Sequence, residues 1–586
     1  MKKSALLILI CPLILSGCFF TKAKVKPTPE PETFYESKTK TPMYVAQGMA
    51  LNVNLYKMKG VSSDIPYVDF ISTYNNILLP FMGVMNTSSS DLTMVGALQN
   101  NVFEAHNYYG SLLFDDENDT IRVSSIYRTM FFLSQRTDYL MPAAGQETNY
   151  ARFNSNKTRN VTDAEVVTFD LGKYNIDLLR DGKNLYMPFA TFADIFLASN
   201  GLPFAYNGKD IYYTGQFSTE HVSLDSNNSL EASFFNNSPW KNKKRSSELA
   251  EFTYNELCFS LDHLYGLKDY RSITSFDTLL TNGGWKQNLL STNADTYERA
   301  MINFVGTYLC EGHTGFLKVS PFNPTSGYDT AYKAATTNNA RYTNLINKMN
   351  SLKSSRSNAH KDIGLTVQDN VVIIRFDSFM KSQGTTGINV DNYTYADLHD
   401  ADTYLFFKKA FNEIAEDSDI TKVVFDITLN GGGMLDALPW LGAFISDDPS
   451  YTMRSSLNGM VSDIHFNVDL NRDYYITEED TYKGKYDFYL MTSSFSFSCA
   501  NAFATYVKSS GSATIIGEKS GGGACAVGAL TTASGTTLRL SSTIQMGMLD
   551  NEDNFVINED GIEVDYEFSS NYFYNDSQIA QFVNNH

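Results

Sequence analysis

Between residues 371 and 517 the sequence alternates short apolar runs with helical stretches, and this alternation narrows the fold more than any other feature. The runs are VVIIRF (371–376), KVVFDITL (422–429), YDFYLMT (486–492) and ATIIG (513–517). They are short, rich in β-branched residues, and apolar at consecutive rather than alternate positions, which marks strands buried on both faces. Between them lie helical patterns at 404–414, from about 434, and at 500–507. Strand–helix–strand order of this kind predicts an α/β core with largely parallel pairing.

A chain of 586 residues exceeds the roughly 250–300 that one hydrophobic core serves, so other domains must accompany this one. Residues 246–310 read as helical, because Leu249, Phe252, Leu257, Leu261 and Leu264 recur at spacings of three to five and a second run covers 297–309. Gly283-Gly284 separates the two. A boundary falls near 217–245, where a Ser/Asn-rich stretch turns basic. Residues 43–240 are rich in Tyr, Phe and Asn, with short alternating runs. Within them, Pro66-Tyr67-Val68-Asp69-Phe70 and Pro188-Phe189-Ala190-Thr191-Phe192 look alike, each a short strand entering a helix, as in a duplicated α+β module. Asn207-Gly208 predicts a hairpin turn. The expected division is an N-terminal α+β domain over 43–240, a helical subdomain over 241–350 and the α/β core over 351–586.

The first residues bear on location. Lys2 and Lys3 precede the apolar run 5–15, which is too short to span a bilayer comfortably and ends in Leu15-Ser16-Gly17-Cys18. This looks like a bacterial lipoprotein signal over 1–17, with Cys18 acylated as the first mature residue. Residues 18–42, carrying Pro27, Pro29 and Pro31 among mixed charges, read as an extended tether. No other stretch reaches 18 continuous apolar residues, so acyl chains are the expected membrane attachment, in the cell envelope and facing periplasm or exterior. An exported enzyme meets no ATP pool, which favours hydrolysis. Acidic residues outnumber basic ones 65 to 46, for a net charge of −19, and such a surface repels nucleic acid. Six cysteines without CxxC pairs exclude a disulfide scaffold or zinc ribbon, and no His/Cys/carboxylate set stands at metal-ligand spacing. Neither a metal nor a cofactor is expected.

Three turns at element ends carry the chemistry. Asp426-Ile427-Thr428-Leu429-Asn430-Gly431-Gly432-Gly433 follows a buried strand, and its glycines let backbone N–H groups approach a substrate. A phosphate loop is the rival reading, but no Gly-Lys-Ser/Thr follows. Ser493-Ser494-Phe495-Ser496-Phe497-Ser498-Cys499 joins a strand to a helix, where free N–H groups stabilise developing negative charge; a serine N-cap is the plain structural alternative. Leu309-Cys310-Glu311-Gly312-His313-Thr314-Gly315-Phe316 places one of only eight histidines in a Gly-flanked turn, as suits a general base.

Together these turns resemble the S41 family of serine peptidases, which includes the C-terminal processing and tricorn-type enzymes. DITLNGGG resembles the family's Asp-Leu-Arg-x-Asn-x-Gly-Gly strand end, FSCANAFATYVKSSGSATIIGEKSGGG its Ser-Ala-Ser-Glu helix with the following Ile-Gly-Glu strand, and LCEGHTGF the Asp-Gly-His-Thr turn of its histidine-using branch. The resemblance covers roughly residues 245–586. It implies a crotonase/ClpP-like core and an endopeptidase working through an acyl-enzyme on peptide or protein substrates. By position Ser498 matches the nucleophile, while Cys499 and Gly432 match the oxyanion donors. The lysine of the processing branch is missing, since Gly523 stands in its place and Lys519 is displaced, so the base falls to His313 as in the tricorn-like branch. Glu563, in Gly561-Ile562-Glu563-Val564-Asp565, is the expected acidic partner of the imidazole, with Glu559 a close competitor. A PDZ domain has no room in the roughly 55 residues between His313 and the VVIIRF strand, against some 80–90 for such a domain. The alternative is a surface lipoprotein of the same fold that binds peptide or glycan without turnover.

Overall fold

In the computed structural model of the protein, Val371–Arg375, Lys422–Asp426, Asp487–Thr492 and Thr514–Gly517 lie side by side and parallel, as the four apolar runs predict. Gly364–Gln368 pairs antiparallel at one edge and Tyr566–Glu567 parallel at the other, completing six strands. Successive side chains of a strand point to opposite faces. Val372, Ile374, Val423, Phe425 and Leu490 enter one hydrophobic cluster, together with the helices Thr403–Ala415, Leu438–Ile445 and Cys499–Ser510. Val371, Ile373, Val424, Tyr489 and Met491 enter another, closed by Leu352 and by Ile579 and Val583 of the helix Asp576–Asn585. Both faces are covered, which is why the runs are continuously apolar; each such side chain contributes about 1.5–3 kcal/mol by leaving water. The second strand ends at Asp426, short of the expected 429, because the Asp426 carboxylate accepts the N–H and hydroxyl of Thr428 and turns the chain.

The structure describes residues 34–82, 93–99, 101–107, 110–123, 150–198, 201–324, 327–382, 385 and 387–586. The helical lead-in appears as predicted, with Ser247–Leu264 capped by Ser246 and Ala294–Phe304 capped by Asn293, each side chain accepting a first-turn N–H. A π-turn, Val305–Leu309, then delivers the chain to the His313 turn and the strand Gly315–Lys318. The two look-alike pieces are the strand–helix pairs Tyr67–Asp69 with Phe70–Met82, and Leu185–Pro188 with Phe189–Phe192. Their strands pair antiparallel with each other, Met187 opposite Val68, in a seven-stranded sheet. Asn207-Gly208 turns the hairpin of Phe204–Tyr206 and Ile211–Tyr213.

Two expected boundaries give way. The tether reading fails over its last residues: Tyr35–Ala46 is a strand, paired with Met49–Met58, and it buries Thr41 and Met43. Its Lys/Thr-rich start is exposed, so period-2 alternation appears only where the strand reaches the core. The N-terminal domain is also not closed at 240. Ala151–Phe153 and Arg159–Thr162 pair with Val461–Val468 of the core, in a sheet with Ser450–Ser455, Thr537–Leu549 and Gly315–Lys318. The expected signal and Cys18 lie outside the described residues. Among the described residues no helix is long and apolar enough to cross a membrane, and no group of three or more His, Cys, Asp or Glu could hold a metal ion.

Candidate active site

The serine-rich turn is built by its own hydroxyls. Ser493 Oγ donates to the carbonyl of Thr428 (2.6 Å) and Ser496 Oγ to that of Ile427 (2.7 Å), which fastens this turn to the Gly-rich one. Ser498 makes no such bond. It stands at the N-terminus of Cys499–Ser510 with φ +59° and ψ −121°, and its side chain caps nothing. A non-glycine residue held there costs on the order of 1–3 kcal/mol, which the surrounding structure must over-determine. The Ser498 N–H donates to the Gly522 carbonyl (2.9 Å) and that of Phe497 to the Asn430 carbonyl (3.2 Å), fixing the bend from both sides. The result is a half-buried, unpartnered hydroxyl beside the N–H of Cys499, which has no partner among the described residues.

Gly432 faces this point, though not in the expected way. A Cβ on it would lie 2.6 Å from Ser498 Cβ and 2.9 Å from Cys499 N, at φ +108°, so only glycine is accommodated. Its N–H, however, donates to Asn430 Oδ1 at 2.9 Å. Gly432 therefore offers no free oxyanion donor here; it provides room, and the free donor is Cys499. The thiol of Cys499 is buried, with Sγ 3.6 Å from the Met434 carbonyl, and burial raises its pKa far above the ordinary value, which disfavours the thiolate a nucleophile needs.

His313 is brought to the same place. Its ring is buried, with its centroid 4.8 Å from that of Phe497, the neighbour of Ser498. Neither ring nitrogen has a partner among the described residues, so the Ser498–His313 bond is not made in this structure. Burial, aided by the charges of Arg539 and Arg341, pushes the imidazole down to about 4. Phe497 occupies a slot between two glycines: a Cβ at Gly312 would come 2.5 Å from its ring and one at Gly523 2.4 Å. The space beside Gly523 is thus filled by an aromatic ring. Sequence reasoning passed over Phe497, whose only signal is its place before the serine.

The expected acidic partner is elsewhere. Glu563 is 72% exposed in its side chain and pairs with Lys519 at 2.7 Å, away from His313. Glu559 is buried but fully engaged: Oε1 takes Arg341 (2.6 Å) and Oε2 the N–H of Ala524 (2.7 Å). Glu311, two residues before His313, is buried, with Oε1 accepting the Thr314 N–H (3.0 Å) and the Ser541 hydroxyl. A cleft of about 270 Å³ opens beside Phe497, lined by Glu311, Arg341, Ser494, Lys519 and Gly521 among others.

Residues 370–568 match the family model described as Peptidase family S41. Ser498, Cys499, Gly432, Glu559 and Glu563 lie inside the match and His313 outside it. No curated protein matches the chain in sequence. Solved structures with some likeness include a photosystem II D1 C-terminal processing protease, at 16% identity and TM-score 0.25 over 34% of this chain and 42% of that one. The chain thus spans about two fifths of that enzyme's length. A lipoprotein from Streptococcus agalactiae is 12% identical, with TM-score 0.34 over 58% of this chain and 97% of that one. Mature CPAF complexed with lactacystin is 11% identical, with TM-score 0.37 over 58% of this chain and 100% of that one.

Proposed function

We propose that this protein is an exported serine endopeptidase, anchored to the bacterial envelope through Cys18, with Ser498 as nucleophile and His313 as base. One observation carries the reading: within the S41-matching residues, Ser498 is held at a strained bend with an unpartnered hydroxyl beside the free N–H of Cys499. A serine kept only for folding would cap its helix, as Ser246 and Ser275 do. In the reaction Ser498 Oγ attacks the peptide carbonyl, its proton passes to His313, and the carbonyl oxygen takes the Cys499 N–H. His313 then returns the proton to the departing amine, and water repeats the cycle on the acyl-enzyme. With its pKa held down to about 4, the imidazole is neutral, the form that can accept a proton, throughout the physiological range, though burial makes it a weaker base.

The test is labelling of the purified chain with a fluorophosphonate, alongside hydrolysis of an unstructured protein substrate. The wild type should label at Ser498 and cleave. Ser498→Ala and His313→Ala should each lose cleavage, and the double variant should be no worse than either, because nucleophile and base act as one unit. A wild type that binds peptide yet neither labels nor cleaves would instead be a binding protein of this fold.

A further inference from the structure

Ser260 is asked for more protons than it has. Its Oγ lies 2.9 Å from Asp194 Oδ2 and 2.9 Å from Glu256 Oε1, and all three residues are wholly buried. A hydroxyl donates one hydrogen, and an ionised carboxylate can only accept. With both acids ionised, one carboxylate oxygen would face the Ser260 lone pairs at this distance with no hydrogen between them. One of the two carboxyl groups therefore brings a proton of its own.

The surroundings say which. Asp194 Oδ1 accepts the Thr531 N–H at 3.1 Å, so with Ser260 on Oδ2 both of its oxygens are served, as an anion requires. Glu256 Oε2 is buried with no partner among the described residues. Burial raises both acids, and the Asp194 charge raises Glu256 further. The elements around the pair supply no cation to hold a second negative charge. Phe189–Phe192 and the π-turn Ala193–Leu197 carry no titratable residue besides Asp194, Phe204–Tyr206 brings only Tyr206, and Cys525–Thr531 only Cys525. On the helix Ser247–Leu264, Asp262 is turned to Tyr174 and Lys268, His263 to Phe169, and Tyr254 and Cys258 toward Asp277, while Glu248 and Glu251 are exposed.

We infer that Asp194 and Glu256 share a single proton, with Glu256 donating to Ser260 Oγ and Ser260 donating to Asp194 Oδ2, and that this proton locks residues 43–240 onto the rest of the chain. The lock ties three separate stretches together: Asp194 from the N-terminal region, Glu256 and Ser260 from the helical lead-in, and Thr531 from a strand of the core. Taking the proton away leaves two carboxylates side by side in a buried place without a cation, which is strongly unfavourable. The attachment is thus tight in mild acid and weakens as pH rises. In the unfolded chain both acids are ionised above about pH 4.3, whereas the folded chain keeps one proton. The stability this contributes is complete below that pH and is lost as pH climbs toward the raised pKa of the folded pair. Because the two sides share one hydrophobic cluster, detachment and unfolding are a single event.

Urea unfolding of the full chain between pH 5 and pH 8 tests this in the wild type, Glu256→Gln and Asp194→Asn. Glutamine supplies an N–H where the acid supplies its O–H, and asparagine lets Glu256 ionise beside a neutral donor, so either amide removes the need for the extra proton. One proton held only by the folded state changes the folding constant about tenfold per pH unit. The unfolding constant of the wild type relative to either variant should therefore rise at least about tenfold between pH 5 and pH 8. A ratio that does not change with pH overturns the inference, whatever the absolute stability of the variants. Should neither variant fold, a neutron structure of the deuterated wild type at pH 7 decides. A deuterium on either carboxyl, directed at Ser260, upholds the shared proton, and two bare carboxylates end it.

Discussion

Phe497 packs against the imidazole of His313, and if that imidazole is the base proposed above, its burial sets the pH at which it works. With the ring buried, His313 is held at about 4, against about 6.5 for a solvated histidine. A base acts in its neutral form, so kcat/KM should rise through about pH 4 and stay flat toward neutrality. A solvated histidine at this position would put that rise near 6.5. Phe497→Ala admits water to the ring and should move the acid limb up toward 6.5; an unmoved limb would show that Phe497 is not what excludes solvent. The same depression couples to stability. Below about 6.5 the unfolded chain binds a proton that the folded one refuses, so stability falls with pH down to about 4, by up to about 3 kcal/mol. Denaturant unfolding at pH 7 and pH 4.5 should show a smaller loss in His313→Gln than in the wild type, the remainder coming from His263, which burial also holds at about 4. The turns that carry Ser498 and His313 were legible in sequence because glycines and hydroxyls crowd the ends of the elements they join. The surroundings of the glutamates were not legible. Glu563 occupies the right stretch but faces solvent, whereas Glu311 is buried by a partner 230 residues away, Ser541, which no local pattern announces.

The candidate site is assembled where the Gly-rich turn after Lys422–Asp426 meets the serine turn after Asp487–Thr492, neighbouring parallel strands whose carboxyl ends lie together. These strands were legible for a physical reason: a sheet covered on both faces leaves little room for polar residues, Arg375 and Asp426 being buried as a pair at the strand ends, so the runs stand out from everything around them. Their ends were less so, because Asp426 and Asn430 bend the chain through side-chain bonds to their own loop. Gly432 shows how little slack the junction has. In Gly432→Ala the new Cβ would meet Ser498 Cβ at 2.6 Å and the Cys499 N at 2.9 Å, in a backbone conformation that alanine rarely adopts. Only a shift of the nucleophile turn relieves that contact. The expected outcome is loss of fluorophosphonate labelling with a stability cost of about 1–3 kcal/mol in denaturant unfolding. Full labelling in Gly432→Ala would mean that the two turns are not in the contact described.

For the whole molecule, two predictions separate attachment from folding. If Cys18 is the acylated first residue, Cys18→Ala should leave membranes or fail to mature, as membrane fractionation reads directly; a mature, correctly cleaved form retained on membranes counts against anchoring. The second prediction concerns the domain boundary near 240, the part of the organisation that sequence misplaced. Composition shifts mark boundaries only when each side closes its own core, and here the sides share one. A single hydrophobic cluster runs from Met43 through the helix Ser247–Leu264 to Leu540. Phe259 of that helix meets the rings of Phe169 and Tyr174, and Glu256 shares Ser260 with Asp194, whose other oxygen accepts the Thr531 N–H at 3.1 Å. Strands from the two sides also pair across more than 300 residues, Asn154 reaching Asn467. Residues 241–586 expressed alone would therefore expose the apolar face of Ser247–Leu264, leave Glu256 and Thr531 buried without their partner, and bare the long strand Val461–Val468 along one edge. An uncovered edge of this kind templates association, and the lost burial exceeds the few kcal/mol by which domains are stable. The fragment should aggregate or unfold without a cooperative transition, whereas the full chain should melt with residues 43–240 and the core together. A soluble, cooperatively folded 241–586 that labels at Ser498 like the full chain would show that the shared core is dispensable and that the boundary read from composition was the right one.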